Sequence, residues 1–160
     1  MKENVLILGI GNDILMDDGI GPRLVSDLEK KGSGTGIRYQ TTTLGGLDIL
    51  ECIQGYEMVV FIDAIKTRGG VVGDVYEFSL EDFMETLHLS NLHDISFLTA
   101  IEMGRRMGMQ VPPDIRIIAV EILEDQVFGD RFTPQLESRY PQIVSLVEGK
   151  IHRFMRHKPE

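Results

Sequence analysis

Val5-Leu6-Ile7-Leu8-Gly9-Ile10-Gly11-Asn12-Asp13-Ile14-Leu15-Met16-Asp17-Asp18-Gly19-Ile20-Gly21 is the stretch from which the fold is read. Val5 to Leu8 form an apolar run with no polar alternate face, as expected of a strand covered on both sides. A glycine-lined turn follows, and then a helical pattern over residues 21–31. Met58-Val59-Val60-Phe61-Ile62 and Ile115-Arg116-Ile117-Ile118-Ala119-Val120 repeat the buried-strand pattern, and Ile37–Thr42 supplies another strand. Helical patterns over residues 46–54 and 94–107 lie between them. A long last helix is expected at Pro134–Arg156, with Thr133 as N-cap and Pro134 at the first helical position. Residues 72–78 follow the turn Arg68-Gly69-Gly70 and are expected to pair antiparallel at a sheet edge. The order β-α-β-α-β-β-α-β-α predicts a three-layer α/β/α domain whose open, mainly parallel sheet has about five strands.

The 160 residues suit one domain spanning 1–160. A chain of this length buries roughly 68–70 % of its unfolded surface and needs no disulfide. Cys52 is the single cysteine, so no internal bridge can form, which fits a reducing compartment. No apolar run approaches the ~20 residues that span a bilayer. Met1-Lys2-Glu3-Asn4 pass directly into the first strand pattern without signal-peptide character. A cytoplasmic protein with no membrane partner is expected. The net charge of −9 speaks against a nucleic-acid partner, because phosphate binding rests on clustered Lys and Arg.

Gly9-Ile10-Gly11-Asn12-Asp13-Ile14 invites a dinucleotide reading, but Ile14 stands where the third glycine of that fingerprint belongs. Asp17 and Asp18 would repel a pyrophosphate and attract a cation. On the residues alone, capping of the following helix and ligation of a metal are equally open for this acidic pair. Asp63 closes the strand pattern at Met58–Ile62, and ligands of open parallel sheets bind beyond the carboxyl ends of strands. Asp17, Asp18 and Asp63 would therefore meet at one rim if the first and third strands are neighbours.

His93 precedes the helix expected over residues 94–107, with Ser90 or Asn91 as its cap. Two carboxylates and one imidazole can hold a divalent transition ion with open coordination positions. His88 is a rival ligand, whereas His152 and His157 read as cations near a helix C-terminus. Cys52 reads as a structural thiol, and Ser90 and Ser96 lack a triad partner pattern.

With these pieces in place, the chain resembles the hydrogenase maturation endopeptidases, which process the large subunit of nickel–iron hydrogenases. The resemblance rests on Leu8-Gly9-Ile10-Gly11-Asn12 with Asp17-Asp18-Gly19-Ile20-Gly21, on Ile62-Asp63-Ala64, and on Ser90-Asn91-Leu92-His93-Asp94. Phe128-Gly129 and Thr133-Pro134 complete it. It implies that Asp18, Asp63 and His93 contact the metal, and that a short C-terminal extension of a nickel-loaded precursor is removed. The nickel would be carried by the substrate. Asp17, Asp18 and Asp63 form the expected catalytic set of an aspartyl-type endopeptidase. Within it, Asp17 is read as a helix cap first, and as orienting its neighbour or activating water second. The resemblance suggests a monomer. Gly46 matches a glycine-rich loop of the family, while Leu44 departs from it, as does Glu121-Ile122-Leu123-Glu124, which lacks a proline common there. The competing expectation is a non-enzymatic nickel-binding chaperone or sensor on the same scaffold.

Overall fold

The computed structural model describes residues 4–32, 34–43, 47–82 and 93–157, and for residues 47 and 93–97 it describes the backbone alone. Five strands form one sheet in the order β2-β1-β3-β5-β4. They are β1 (Val5–Ile10), β2 (Ile37–Thr42), β3 (Met58–Ile65), β4 (Val75–Ser79) and β5 (Asp114–Glu121). β1 pairs in parallel with β2 and β3, and β3 with β5. β4 runs antiparallel to β5 at the sheet edge, as its position after a Gly-Gly turn predicts. The helices are α1 (Ile20–Lys31), α2 (Leu47–Ile53), α3 (His93–Arg106) and α4 (Pro134–Arg156).

The apolar runs lack alternation because both faces of the sheet are covered. Val5, Ile7, Met58, Val60 and Ile62 pack under α1 and α4, against Leu24, Leu28, Leu136, Ile143 and Val147. Leu6, Leu8, Val59, Phe61 and Ile117 point the other way, into a layer with Ile49, Ile53, Leu98 and Ile101 of α2 and α3. The period-2 pleat thus feeds two cores from one run of apolar residues. Among the described residues, no helix is long and apolar enough to cross a membrane.

Glycines set how closely α1 seats on the sheet. A Cβ on Gly21 would stand 2.4 Å from the Ile62 carbonyl oxygen and 2.6 Å from that of Ile10. Gly11, at φ 149°, would bring a Cβ to 2.0 Å from the Asp18 carbonyl oxygen. Only the bare backbone permits these contacts, and they fix the first turn of α1 against the carboxyl ends of β1 and β3.

One element was not anticipated. Met16–Gly19 form a short 3-10 helix ahead of α1, closed by the Asp18 N–H on the Leu15 carbonyl at 3.1 Å. The paired acids that suggested a cap sit inside this turn. Neither it nor α1 receives a side-chain cap.

Candidate active site at the β1–β3 rim

β1 is followed by α1 and then by β2 on one side of the sheet, whereas β3 is followed by β4 at the opposite edge. The carboxyl ends of these two neighbouring strands therefore form the crevice in which open α/β sheets bind ligands. Ile62 pairs with Gly9, and Asp63 is the first β3 residue beyond that pairing, matched on its other side by Ala119 of β5. The 3-10 turn bearing Asp17 and Asp18 packs on β3. The condition set by the sequence, adjacency of the first and third strands, is met, and it brings the Asp18 and Asp63 backbones to one rim.

The two acids are held differently. Asp18 is half-buried, and its Oδ2 accepts the Asn12 N–H at 2.8 Å, which folds the glycine turn over it. Asp63 is half-buried, and its Oδ1 accepts the Ala64 N–H at 2.8 Å. Phe61 and Ile65 flank it in the pleat and belong to the α2–α3 core, so Asp63 projects toward the α3 side of the sheet.

α3 approaches from that side. The Gly55 N–H, just before β3 begins, bonds to the Gln110 carbonyl, so the chain after α3 lies at the amino edge of the strands. α3 therefore runs back against the strand direction, and its 14 residues span about 21 Å at ~1.5 Å each. His93 is its first residue, so that backbone position lies toward the carboxyl ends of the strands. The His93 side chain lies outside the described residues, as do His88, Ser90, Asn91, Leu44 and the Gly45-Gly46 loop. Among the described side chains alone, no three His, Cys, Asp or Glu gather into a metal site.

Asp17 has a different task from the capping anticipated. Its carboxylate is 0 % exposed. Oδ2 accepts the N–H groups of Leu123 and Glu124 at 3.0 and 3.2 Å and the Thr133 hydroxyl at 2.8 Å, while Oδ1 accepts the Thr133 N–H at 2.7 Å. Thr133 does occupy the N-cap position of α4, but its hydroxyl serves Asp17 instead of the helix. Asp17 thus ties the loop between β5 and α4 to the 3-10 turn. Backbone pairing reinforces the tie through a parallel bridge between Leu15 and Gly129.

A second buried carboxylate went unrecognised as such in the sequence. Glu121 is 2 % exposed at the carboxyl end of β5, paired in register with Ile65. Its Oε1 accepts the Thr67 N–H at 2.8 Å, and the Thr67 hydroxyl lies 3.0 Å from both oxygens. A Cβ on Gly70 would fall 2.0 Å from Oε1, so the Gly69-Gly70 turn is shaped around this acid. Burial pushes the nearby Tyr76 phenol above its ordinary pKa. An acid ending an apolar strand is the signal that singled out Asp63, and Glu121 after Val120 carries the same one.

Among known proteins, the hydrogenase expression/formation protein HupD of Thiocapsa roseopersicina is 23 % identical over 153 residues, which are 94 % of this chain and 68 % of that protein. HupM of Azotobacter chroococcum mcd 1 is 27 % identical over 129 residues, 79 % of this chain and 61 % of its own. The NiFe hydrogenase maturation protease HybD from Thermococcus kodakarensis superposes with a TM-score of 0.68 at 26 % identity, covering 93 % of this chain and 98 % of that one. The chain is similar to a hydrogenase maturation protease over nearly its whole length. The maturating endopeptidase HybD from E. coli shares the fold, with a TM-score of 0.74 at 19 % identity over 96 % of this chain and 93 % of that one. No protein-family model matches the chain. The chain spans 61–68 % of the length of the two expression/formation proteins.

Proposed function

We propose that the chain is a cytoplasmic, monomeric endopeptidase that removes the C-terminal extension of a nickel-loaded hydrogenase large-subunit precursor. The observation that carries this reading is the convergence of Asp18 and Asp63 on the rim between β1 and β3. α3 begins at His93 and runs antiparallel to the strands, which supports a place for His93 toward the same end of the sheet. The names of the relatives point the same way.

In this reading Asp18, Asp63 and His93 complete the coordination of a nickel ion that arrives with the precursor. Coordination fixes the polypeptide against the rim and turns an encounter between two proteins into a positioned one. A metal-bound carbonyl would also be polarised toward attack. Asp17 acts through its neighbour: buried among donors, it holds the turn that presents Asp18 and is not given the role of base.

Incubation of the chain with nickel-loaded and nickel-free precursor, read by intact mass, tests the proposal. Wild type is expected to shorten the nickel-loaded precursor alone. Asp18→Ala and Asp63→Ala are expected to keep the native circular dichroism spectrum and lose processing by a factor of about 100 or more. Full activity in either variant would refute the assignment. Tight nickel binding with no change in precursor mass would point to the chaperone or sensor instead.

A further inference from the structure

The segments tied together by Asp17 display apolar side chains to solvent. Gly129 donates its N–H to the Ile14 carbonyl at 2.9 Å and accepts the Met16 N–H at 3.0 Å. In this parallel register, Ile14 and Phe128 sit side by side, one step ahead of the Leu15–Gly129 bridge. Ile14 is 53 % exposed and Phe128 79 %, and Val127 and Leu123 of the same loop are exposed as well.

We propose that this ribbon is a docking platform for the polypeptide substrate, seating an apolar side chain carried on a positively charged segment beside the bond to be cut. The proposal rests on the endopeptidase reading and adds where, and by what chemistry, the substrate is gripped.

The ribbon is built to be rigid. A loop that merely joins β5 to α4 has no need of a buried carboxylate. Here Asp17 binds three of its backbone N–H groups and Thr133 Oγ1, and Glu124 Oε1 closes the tip by accepting the N–H groups of Gln126 and Val127. Met16, the only described non-glycine with positive φ, holds 49° to make the pairing. An apolar surface held outward by such ties is preorganised for a partner.

Its position and charge narrow the occupant. The ribbon is continuous with the rim, since Asp18 lies in the turn that Leu15 begins and donates its N–H to the Leu15 carbonyl. Asp17 is buried among its donors and Asp125 is paired with Lys66 at 3.2 Å, which leaves residues 12–18 and 122–133 carrying Asp13, Asp18, Glu124 and Asp130 against Arg131. An anionic surface, or a second copy of a chain with net charge −9, is repelled there. A segment bearing Lys, Arg or His next to an apolar residue is attracted.

Processing of nickel-loaded precursor is measured over a range of precursor concentrations, at low and high salt, for wild type, Phe128→Ser, Ile14→Ser and Leu146→Ser. Leu146 is an exposed leucine of α4 and serves as the control. Phe128→Ser is expected to raise KM about tenfold or more, with Ile14→Ser smaller, Leu146→Ser like wild type, and wild-type KM rising with salt. Circular dichroism is expected to show all variants folded. Ribbon variants whose KM stays within about twofold of wild type overturn the platform while leaving the endopeptidase reading intact. A wild-type protein that neither binds nor shortens the precursor overturns both. Sedimentation showing a dimer that Phe128→Ser dissolves would assign the ribbon to a second copy and overturn the proposal as well.

Discussion

A carboxylate withdrawn from water must find donors, and Asp17 finds all of its described partners in a loop more than a hundred positions away in sequence. Replacing it with alanine leaves the Leu123, Glu124 and Thr133 N–H groups and one hydroxyl without their acceptor. At ~1–3 kcal/mol for each buried group left unsatisfied, moderated by relaxation and water entry, Asp17→Ala is expected to lower unfolding stability by about 3 kcal/mol. Thr133→Val removes one donor and is expected to cost about 1 kcal/mol. Denaturant midpoints check both, and an Asp17→Ala midpoint equal to wild type would sink the anchoring role. The sequence marked Asp17 as special without revealing its task, because its partners are loop N–H groups that every residue type provides. Glu121 was harder still: its acceptor role depends on Thr67 and on the space left by Gly70, neither of which is adjacent to it in sequence.

At the scale of elements, β1, β3 and β5 were legible because a strand buried on both faces has to be apolar throughout. β4 was legible because a Gly-Gly turn precedes it. The 3-10 turn at Met16–Gly19 was not, since its register is imposed by pairing with the loop around Gly129 and not by its own residues. The glycines around it show how the site is placed. Gly21 seats α1 against both Ile10 and Ile62, and the three atoms that an added Cβ would meet first are all backbone. Gly21→Ala therefore cannot be absorbed by a rotamer change; α1 must lift from the rim. A destabilisation of about 2 kcal/mol is expected. A disproportionate loss of precursor processing should accompany it, because the Asp18 turn moves with α1 relative to Asp63. A variant as stable and as active as wild type would mean that the close approach is not needed.

For the molecule as a whole, α1 and α4 are clamped together by a cluster of side chains around Arg23. The Arg23 guanidinium donates to both Glu137 oxygens at 2.9 and 3.1 Å and lies over the rings of Phe132 and Tyr140, 4.6 and 4.0 Å from their centroids. The Tyr140 hydroxyl donates to Asp27 at 2.5 Å, joining the two helices again. The hydrogen bond from Arg23 holds the Glu137 carboxyl below its ordinary pKa. A depressed carboxyl pKa gives stability that is present above the unfolded value of about 4.3 and is lost as pH falls through the folded value. Both side chains are substantially exposed, 40 % and 50 %, so solvent screening limits this contribution to under about 1 kcal/mol. Arg23→Met keeps apolar contact with the two rings and removes the charge. It is expected to unfold at a lower denaturant concentration than wild type at neutral pH, with the gap closing as acid protonates the Glu137 carboxyl, below the ordinary carboxylate range. A gap that stayed constant through that acidification would assign the clamp to stacking over Phe132 and Tyr140 instead of to the ion pair.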